Sequence, residues 1–598
     1  MPFAIALFVL LASMASAAAE KQWTEVRSQH FRVLTDGSDK DARRVAREFE
    51  QMRFAMAELY PHLRLDSGSP LLVLAPRGEA SMMELAPAFR KRKGFTPAGF
   101  FHHGWDKQFA IVRLDEIKPG AYDIVYHEYT HSIMHLNLRW LPLWLDEGLA
   151  DFHANTRFEK DRIVIGVPNT DRIKMLRSQT LVPLATLLAV NQGSPYYHDE
   201  YKASVFYSES WLLTHFLFFS PGMENGKKLW HFARLLQEMD EKKAFQQEFG
   251  DPNDLQERFE KYAKLFAITG AILDSPAHTD EKDFASRTLT QVETKAELGS
   301  YSLWSHDLAT ARPLIEEALK LGPKLGLAHE SMGFLYFAAG KDDEARREFS
   351  QALELDPKLY LSLFSLTMLS PQARSNVPAD QAAFRDSLMK VLDLNPDFAP
   401  AFVQLARLYL RQGDLTHAYG VTRKAESLEP ARAGYHLLAG QILLRMGRGT
   451  EAAGFARYVA DRWPGPDHDE AVELWNAVPA ALRPAGDALM PSPMEGTELM
   501  QGTVKSVRCP GKETGLTVVL DHEGQQVSFA AKSGVVSGFS DTLWYGEDHF
   551  SSCRHVEGLR AVVHYKPSAD KNYAGELARL DFRDDLPATT ESSAIPAQ

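Results

Sequence analysis

At 598 residues the chain is too long for one hydrophobic core, so three or four domains are expected. With 45% hydrophobic and 24% charged residues, each part can bury a core. A net charge of -13 and a pI near 5.9 argue against a general nucleic-acid or anionic-membrane binder, and the basic run Arg90-Lys91-Arg92-Lys93 reads as a short solvated helix end.

The apolar run Phe3 to Ala12, followed by the small residues Ala15 to Ala19, reads as a secretory signal peptide over 1–19 and implies a periplasmic or secreted protein. The run is shorter than the roughly 20 residues a membrane span needs, so no stable span is expected after cleavage. From 20 to 116 the pattern alternates strands and a helix. His30–Thr35, Leu71–Ala75 and Phe109–Leu114 read as strands, and Asp39–Leu59 carries apolar residues at helical spacing. The last strand is a candidate edge for an extended substrate. Residues 117–270 read as mainly helical.

The helical part opens with His127-Glu-Tyr-Thr-His131. Histidines four apart on a helix leave the same face one turn apart and can reach one ion at the ~2.0–2.1 Å zinc distance. Glu128 points to the side where an attacking water would sit, and can take its proton. Downstream, Trp144-Leu-Asp-Glu-Gly-Leu-Ala-Asp151 reads as a second amphipathic helix. Glu147 can supply the third ligand, and Asp151, on the same face, can accept the free ring N–H of a ligating His. Asp146 is the alternative third ligand, although it points about 100° away from Glu147. His135 extends the series by a turn, too far along the helix for all three imidazoles to share one ion. His102, His103 and His153 read as surface or core histidines.

HExxH followed by a helix carrying W-x-x-E-G-x-A-D resembles the gluzincin superfamily of zinc metallopeptidases, thermolysin-like in site logic. It is most similar to the peptidase-MA-like bacterial domains often fused to tetratricopeptide repeats. The resemblance covers roughly residues 23–265. It implies a zincin-like fold, Zn2+ held by His127, His131 and Glu147, Glu128 as general base, and Asp151 behind a ligand. In the aminopeptidase-like gluzincins a Tyr opening a later helix donates to the oxyanion. Tyr207 in Tyr207-Ser-Glu-Ser-Trp211 is similar, with Tyr201 and His198 as alternatives.

After a linker expected over 271–291, the chain repeats between 292 and 466. Gly333, Tyr336, Ala345, Phe349, Ala352 and Pro357 match the tetratricopeptide (TPR) pattern. Gly299, Ala311, Ala318 and Pro323 lie 34 residues earlier, and Pro396, Pro430 and Pro464 are 34 apart. Only the step from Pro357 to Pro396 is longer, at 39, with the extra residues placed in Ser370–Ala379. Five repeats result, expected to form a superhelix that recruits a protein substrate or partner. A Pro-rich linker over 467–497 leads to alternating segments over 498–584, read as a small β-barrel or sandwich, and a disordered tail over 585–598. The two cysteines, Cys509 and Cys553, are expected to form a disulfide in an oxidising compartment.

The fold class expected is thus multidomain α+β: a zincin-like metallopeptidase domain, an α-helical TPR solenoid and a small all-β C-terminal domain. The function expected is that of an exported zinc peptidase. The alternative is a TPR interaction scaffold carrying a catalytically degenerate peptidase-like domain.

Overall fold

The computed structural model describes residues 21–582 apart from 61, 69, 88–97, 104–106, 117–121, 160, 192–193, 199, 266–267, 269, 276–279, 486–487, 491–496, 509–515, 532–535, 539–555 and 569–571. The signal peptide, the Arg90–Lys93 run, Cys509, Cys553 and the tail lie outside the described residues. Among the described residues no helix is long and apolar enough to cross a membrane.

The first layer is a six-stranded sheet. β1 (Thr24–Arg27), β2 (Arg32–Thr35), β3 (Leu71–Ala75), β4 (Gly99–His103), β5 (Gln108–Val112) and β9 (Ala285–Thr288) run in the order β4-β5-β3-β2-β1-β9. β2, β3 and β5 are parallel, and the outer pairings are antiparallel. β5 is paired on both sides, so the edge expected at Phe109–Leu114 belongs instead to β4.

The two-residue period of the strands sorts their side chains between two cores. Val26, Val33, Val73, Ala110 and Val112 face α1 (Asp39–Leu59) and α3 (Asp123–Asn137). α1 begins at Ser38, whose side chain accepts from the Asp41 N–H, and its stripe Ala42, Val45, Ala46, Phe49, Met52 and Met56 is buried. Leu34, Leu74, Phe109 and Ile111 face the other way. With Trp23 and with Met82 and Leu85 of α2 (Glu79–Leu85), they share one core with the helical array that follows.

The helical part contains α4 (Leu143–Ala154), a short ribbon of β6 (Arg157–Phe158) and β7 (Arg162–Ile165), then α5 (Thr170–Arg177), α6 (Leu184–Leu188), α7 (Pro195–His198), α8 (Glu200–Phe219), α9 (Lys227–Leu235), α10 (Glu241–Phe249) and α11 (Pro252–Ala263). α4 is buried all round rather than amphipathic: ten of its twelve residues are buried. Its charged residues face partners inside the protein, as set out below. α4 crosses α8 closely at Gly148, where a Cβ would lie 2.2 Å from Thr214 Oγ1 and 2.6 Å from Ser210 O.

The segment expected as a linker over 271–291 is part of this domain. β8 (Ala271–Asp274) pairs with β7, and β9 closes the main sheet against β1. β8 alternates, with Ala271 and Leu273 packed on the first core, whereas β9 is held by its backbone hydrogen bonds, because its side chains are exposed and carry no strand-like apolar pattern.

Five helix pairs follow: α12 (Gln291–Trp304) with α13 (Leu308–Leu321), α14 (Gly326–Ala338) with α15 (Asp342–Leu355), α16 (Tyr360–Met368) with α17 (Pro378–Leu394), α18 (Ala399–Arg411) with α19 (Leu415–Leu428), and α20 (Ala433–Arg445) with α21 (Gly449–Ala460). The 39-residue step carries a 3-10 turn at Pro371–Arg374 between α16 and α17. The array lies against the sheet-bearing part rather than swinging from it. Phe109 meets Tyr301 edge-on at 5.2 Å, Arg32 pairs with Glu297 at 2.7 Å, and Lys107 pairs with the buried Glu330 at 3.0 Å. Further along, Asn395 donates to Gly68 O, Arg64 to Leu428 O, and Arg462 to Met239 O.

A further helix, α22 (Pro466–Ala477), packs Ala471, Val472 and Trp475 on the last pair, so the stretch expected as linker from 467 begins as the end cap of the array. The C-terminal domain is a small barrel of β10 (Glu498–Arg508), β11 (Thr517–His522), β12 (Gln525–Ala530), β13 (Val536–Gly538), β14 (Arg560–Pro567) and β15 (Gly575–Phe582). The pairing of β12 with β15 closes it. Arg579 of β15 donates to Asp581 and to Asp469 of α22, fastening barrel to array through a buried ion cluster.

Candidate metal centre

α3 uses one face for packing and the other for chemistry. Val125, Tyr126, Tyr129, Ile133 and Met134 are buried in the sheet-side core, which leaves His127, Glu128 and His131 facing a cavity of about 610 Å³. α4 closes the other side and brings Glu147 to the same point. His127 Nε2 and His131 Nε2 lie 3.1 Å apart, and Glu147 Oε2 lies 3.3 Å from the first and 3.6 Å from the second. Two ligands on a tetrahedral zinc ion stand about 3.3 Å apart, as follows from bonds of ~2.0–2.1 Å. The three inward atoms therefore fit zinc in both donor chemistry and spacing. Among the described residues they are one of three such groups.

Each inward imidazole has its own carboxylate behind it. His127 Nδ1 lies 3.1 Å from Asp151 Oδ1, and His131 Nδ1 lies 3.1 Å from Asp146 Oδ1. A carboxylate at Nδ1 fixes the tautomer that presents the Nε2 lone pair inward. Asp146 therefore does not replace Glu147 in the inner group; it accepts from a residue of that group. Arg172 of α5 clamps Asp151 in turn, with Nη2 3.0 Å from Oδ1 and Nη1 on Oδ2.

The charges reinforce one another. For His127 and His131, burial would pull the imidazoles down, but Asp151 and Glu147, and Asp146 and Glu147, outweigh it and hold them at about 9 and about 10. Burial pushes the Asp146, Glu147 and Asp151 carboxyls up, and the imidazoles, with Arg172 beside Asp151, still hold all three below the ordinary carboxylate range. In the metal-free chain the imidazolium pairs thus add stability that is present below the ordinary imidazole value of about 6.5 and lost as pH rises through about 9 and 10. Zinc held by these atoms would have to displace these protons, so its uptake near neutral pH is expected to release protons, and its apparent affinity to rise with pH. Calorimetry in buffers of different ionisation enthalpy measures the release. An affinity that is flat between about pH 6 and 9 would remove the proton competition.

Glu128, Asp151, Arg172 and Tyr207 also line the cavity, together with Asp123, Asn155 and Asn169. The side chains of His198 and Tyr201, the alternatives to Tyr207, lie outside the described residues. His135 sits away from the three inward atoms, on the outer side of Asp146. His153 is a core residue, fully buried with Nε2 2.7 Å from the Tyr60 hydroxyl oxygen, and burial pulls it down to about 3. His102 Nε2 meets Trp304 O across the interface with the array.

The sequence reading missed Arg172 and the role of Asp146. Asp146→Asn is expected to lower zinc affinity about 10–100-fold while leaving the fold intact, because the amide keeps the shape but loses the charge that supports His131. Competition against a chelator measures it, and an unchanged affinity would make Asp146 a bystander.

No curated protein matches the chain. Among solved structures it is similar to that of pilF from Pseudomonas aeruginosa (15% identity, 31% of this chain and 83% of that one, TM-score 0.27). It is also similar to a thermophilic TPR protein of Thermus thermophilus (21%, 31% and 98%, TM-score 0.25) and to YrrB, a TPR protein (18%, 30% and 89%, TM-score 0.25). Residues 326–359, spanning α14 and α15, match the tetratricopeptide repeat family. The chain carries tetratricopeptide repeats.

Proposed function

We propose that the chain is an exported zinc-dependent peptidase whose repeats engage a protein substrate or partner. The observation that carries this reading is the convergence of His127 Nε2, His131 Nε2 and Glu147 Oε2 at a cavity that Glu128 also lines. His127, His131 and Glu147 would hold the ion. Bound zinc supplies Lewis acidity, polarising the scissile carbonyl and the attacking water. Glu128 takes the water's proton and delivers it to the leaving amine. Tyr207 donates its O–H to the oxygen on which charge develops. Asp151 and Asp146 hold the two imidazoles in the tautomer the ion needs, and Arg172 holds Asp151. The signal-like segment before residue 20 supports action outside the cytoplasm.

The test is hydrolysis of mixed peptides by protein purified without chelator, with metal content measured in parallel. About one zinc per chain together with peptide cleavage is expected. Metal-free protein that still cleaves would sink the reading. Tyr207→Phe keeps the ring and loses the O–H, so it is expected to lower kcat about 10²–10³-fold with little change in KM or zinc content. An unchanged kcat would move the oxyanion donor elsewhere.

The second reading is a TPR scaffold with a degenerate peptidase-like domain; the repeat match at 326–359 is common to both readings. The scaffold reading requires that inactivating Glu128 leave the chain's biological effect intact. The array meets the front domain from its first helices to Arg462, so on either reading a partner binds the face turned away from that domain.

A further inference from the structure

Asp146 stands between two imidazoles. Its Oδ1 lies 3.1 Å from His131 Nδ1, and both of its oxygens lie 3.0 Å from His135 Nε2. His131 and His135 are one turn apart on α3, their rings tilted against each other at 5.5 Å. The His131 side chain is 14% exposed and Asp146 18%, whereas His135 is 47% exposed. One carboxylate therefore has an inner oxygen committed to the group around Glu147 and an outer oxygen beside a half-exposed imidazole.

We propose that His135 Nε2 and Asp146 Oδ2 form a second, outer divalent-cation site that takes zinc and restrains the inner one. The inference rests on the zinc-peptidase reading of the inner site. An imidazole nitrogen and a carboxylate oxygen 3.0 Å apart are close to the ligand spacing of about 3.3 Å around zinc. Closing on an ion asks only a small outward turn of an exposed side chain. With two protein ligands and waters in the other positions, the outer site is weaker than the inner one, which has three. On filling, Oδ2 coordinates the ion while Oδ1 keeps the His131 N–H, so Asp146 acts as a bridge. The dication then draws on the charge that Asp146 lends to His131, and groups in that position set metal affinity or activity over about 10–100-fold. Excess zinc would thereby lower turnover without displacing the first ion or blocking the cavity.

The test is equilibrium dialysis of the full chain against graded zinc, with bound metal counted and peptide hydrolysis assayed at each point. Wild type is expected to bind a tight zinc and then a weaker one, with hydrolysis falling about 10-fold as the second fills. His135→Ala is expected to bind only the tight zinc, to keep its activity at that occupancy, and to lose the fall at high zinc. A second zinc that His135→Ala retains at the same affinity, or no uptake beyond the first in wild type, overturns the outer site. A second zinc that leaves hydrolysis unchanged overturns its restraining role. If the chain cleaves nothing at one zinc, the peptidase reading fails, and the count in His135→Ala still decides the outer site.

Discussion

A chain ending at residue 290 is expected not to fold stably. It would keep both helices of the candidate metal centre and every strand of the main sheet, yet it would expose the sheet face carrying Leu34, Leu74, Phe109 and Ile111, together with Trp23. At about 1.5–3 kcal/mol for each large side chain returned to water, the loss is roughly 10 kcal/mol. That equals the whole stability of a typical domain, about 5–15 kcal/mol. The truncated chain would also leave Arg32 and Lys107 without Glu297 and Glu330. The measurements are the cooperativity of thermal unfolding, dye binding to exposed apolar surface, and turnover of a small peptide. A chain ending at 490, which lacks only the barrel, is the control and should melt cooperatively. If the 290 chain melts as sharply as the control and cleaves a small peptide normally, the array is a separable module and the shared core contributes little.

The second large effect separates holding the metal from using it. Glu128→Gln preserves shape and removes the base, so the variant should keep about one zinc and lose about 10²–10⁴-fold in kcat. Glu147→Ala removes one of three inward atoms and should lose the zinc itself. Metal analysis beside turnover reads both. Zinc retained by Glu147→Ala but lost in Asp146→Ala would exchange the roles assigned to the two neighbours. Normal cleavage by Glu128→Gln would end the peptidase reading.

The centre was legible where its parts lie on single helices. Residues four apart share a face, so His127 with His131 and Glu147 with Asp151 could be read from spacing alone. The turn of about 100° between neighbours on a helix ranked Asp146 behind Glu147 as a ligand, and the same turn aims it at His131 Nδ1. Arg172 gave no signal, because its contact with Asp151 depends on how α5 packs beside α4 and on nothing local to either. α4 looked amphipathic because Asp146, Glu147 and Asp151 are charged, but their partners are inside the protein. Strand β9 was read as linker because Ala285-Ser-Arg-Thr288 has no apolar alternation, and only backbone pairing with β1 makes it a strand; β8, four residues long, was too short to stand out. β4 was missed between stretches without strand pattern, which left β5 looking like the edge.

The return of the chain at Ala285–Thr288 to pair with Thr24–Arg27 constrains the order in which the molecule can assemble. The outermost ladder joins residues some 260 positions apart in sequence, so one flank of β1 stays unpaired until nearly half the chain is available. Loop closure over such a distance is slow, and unpaired strand edges are where aggregation begins. The cover for the sheet's second face arrives immediately afterwards, because α12 starts three residues beyond β9. Edge closure and face burial therefore fall within one short stretch of synthesis, and a pause before residue 290 would leave the most vulnerable intermediate waiting for both.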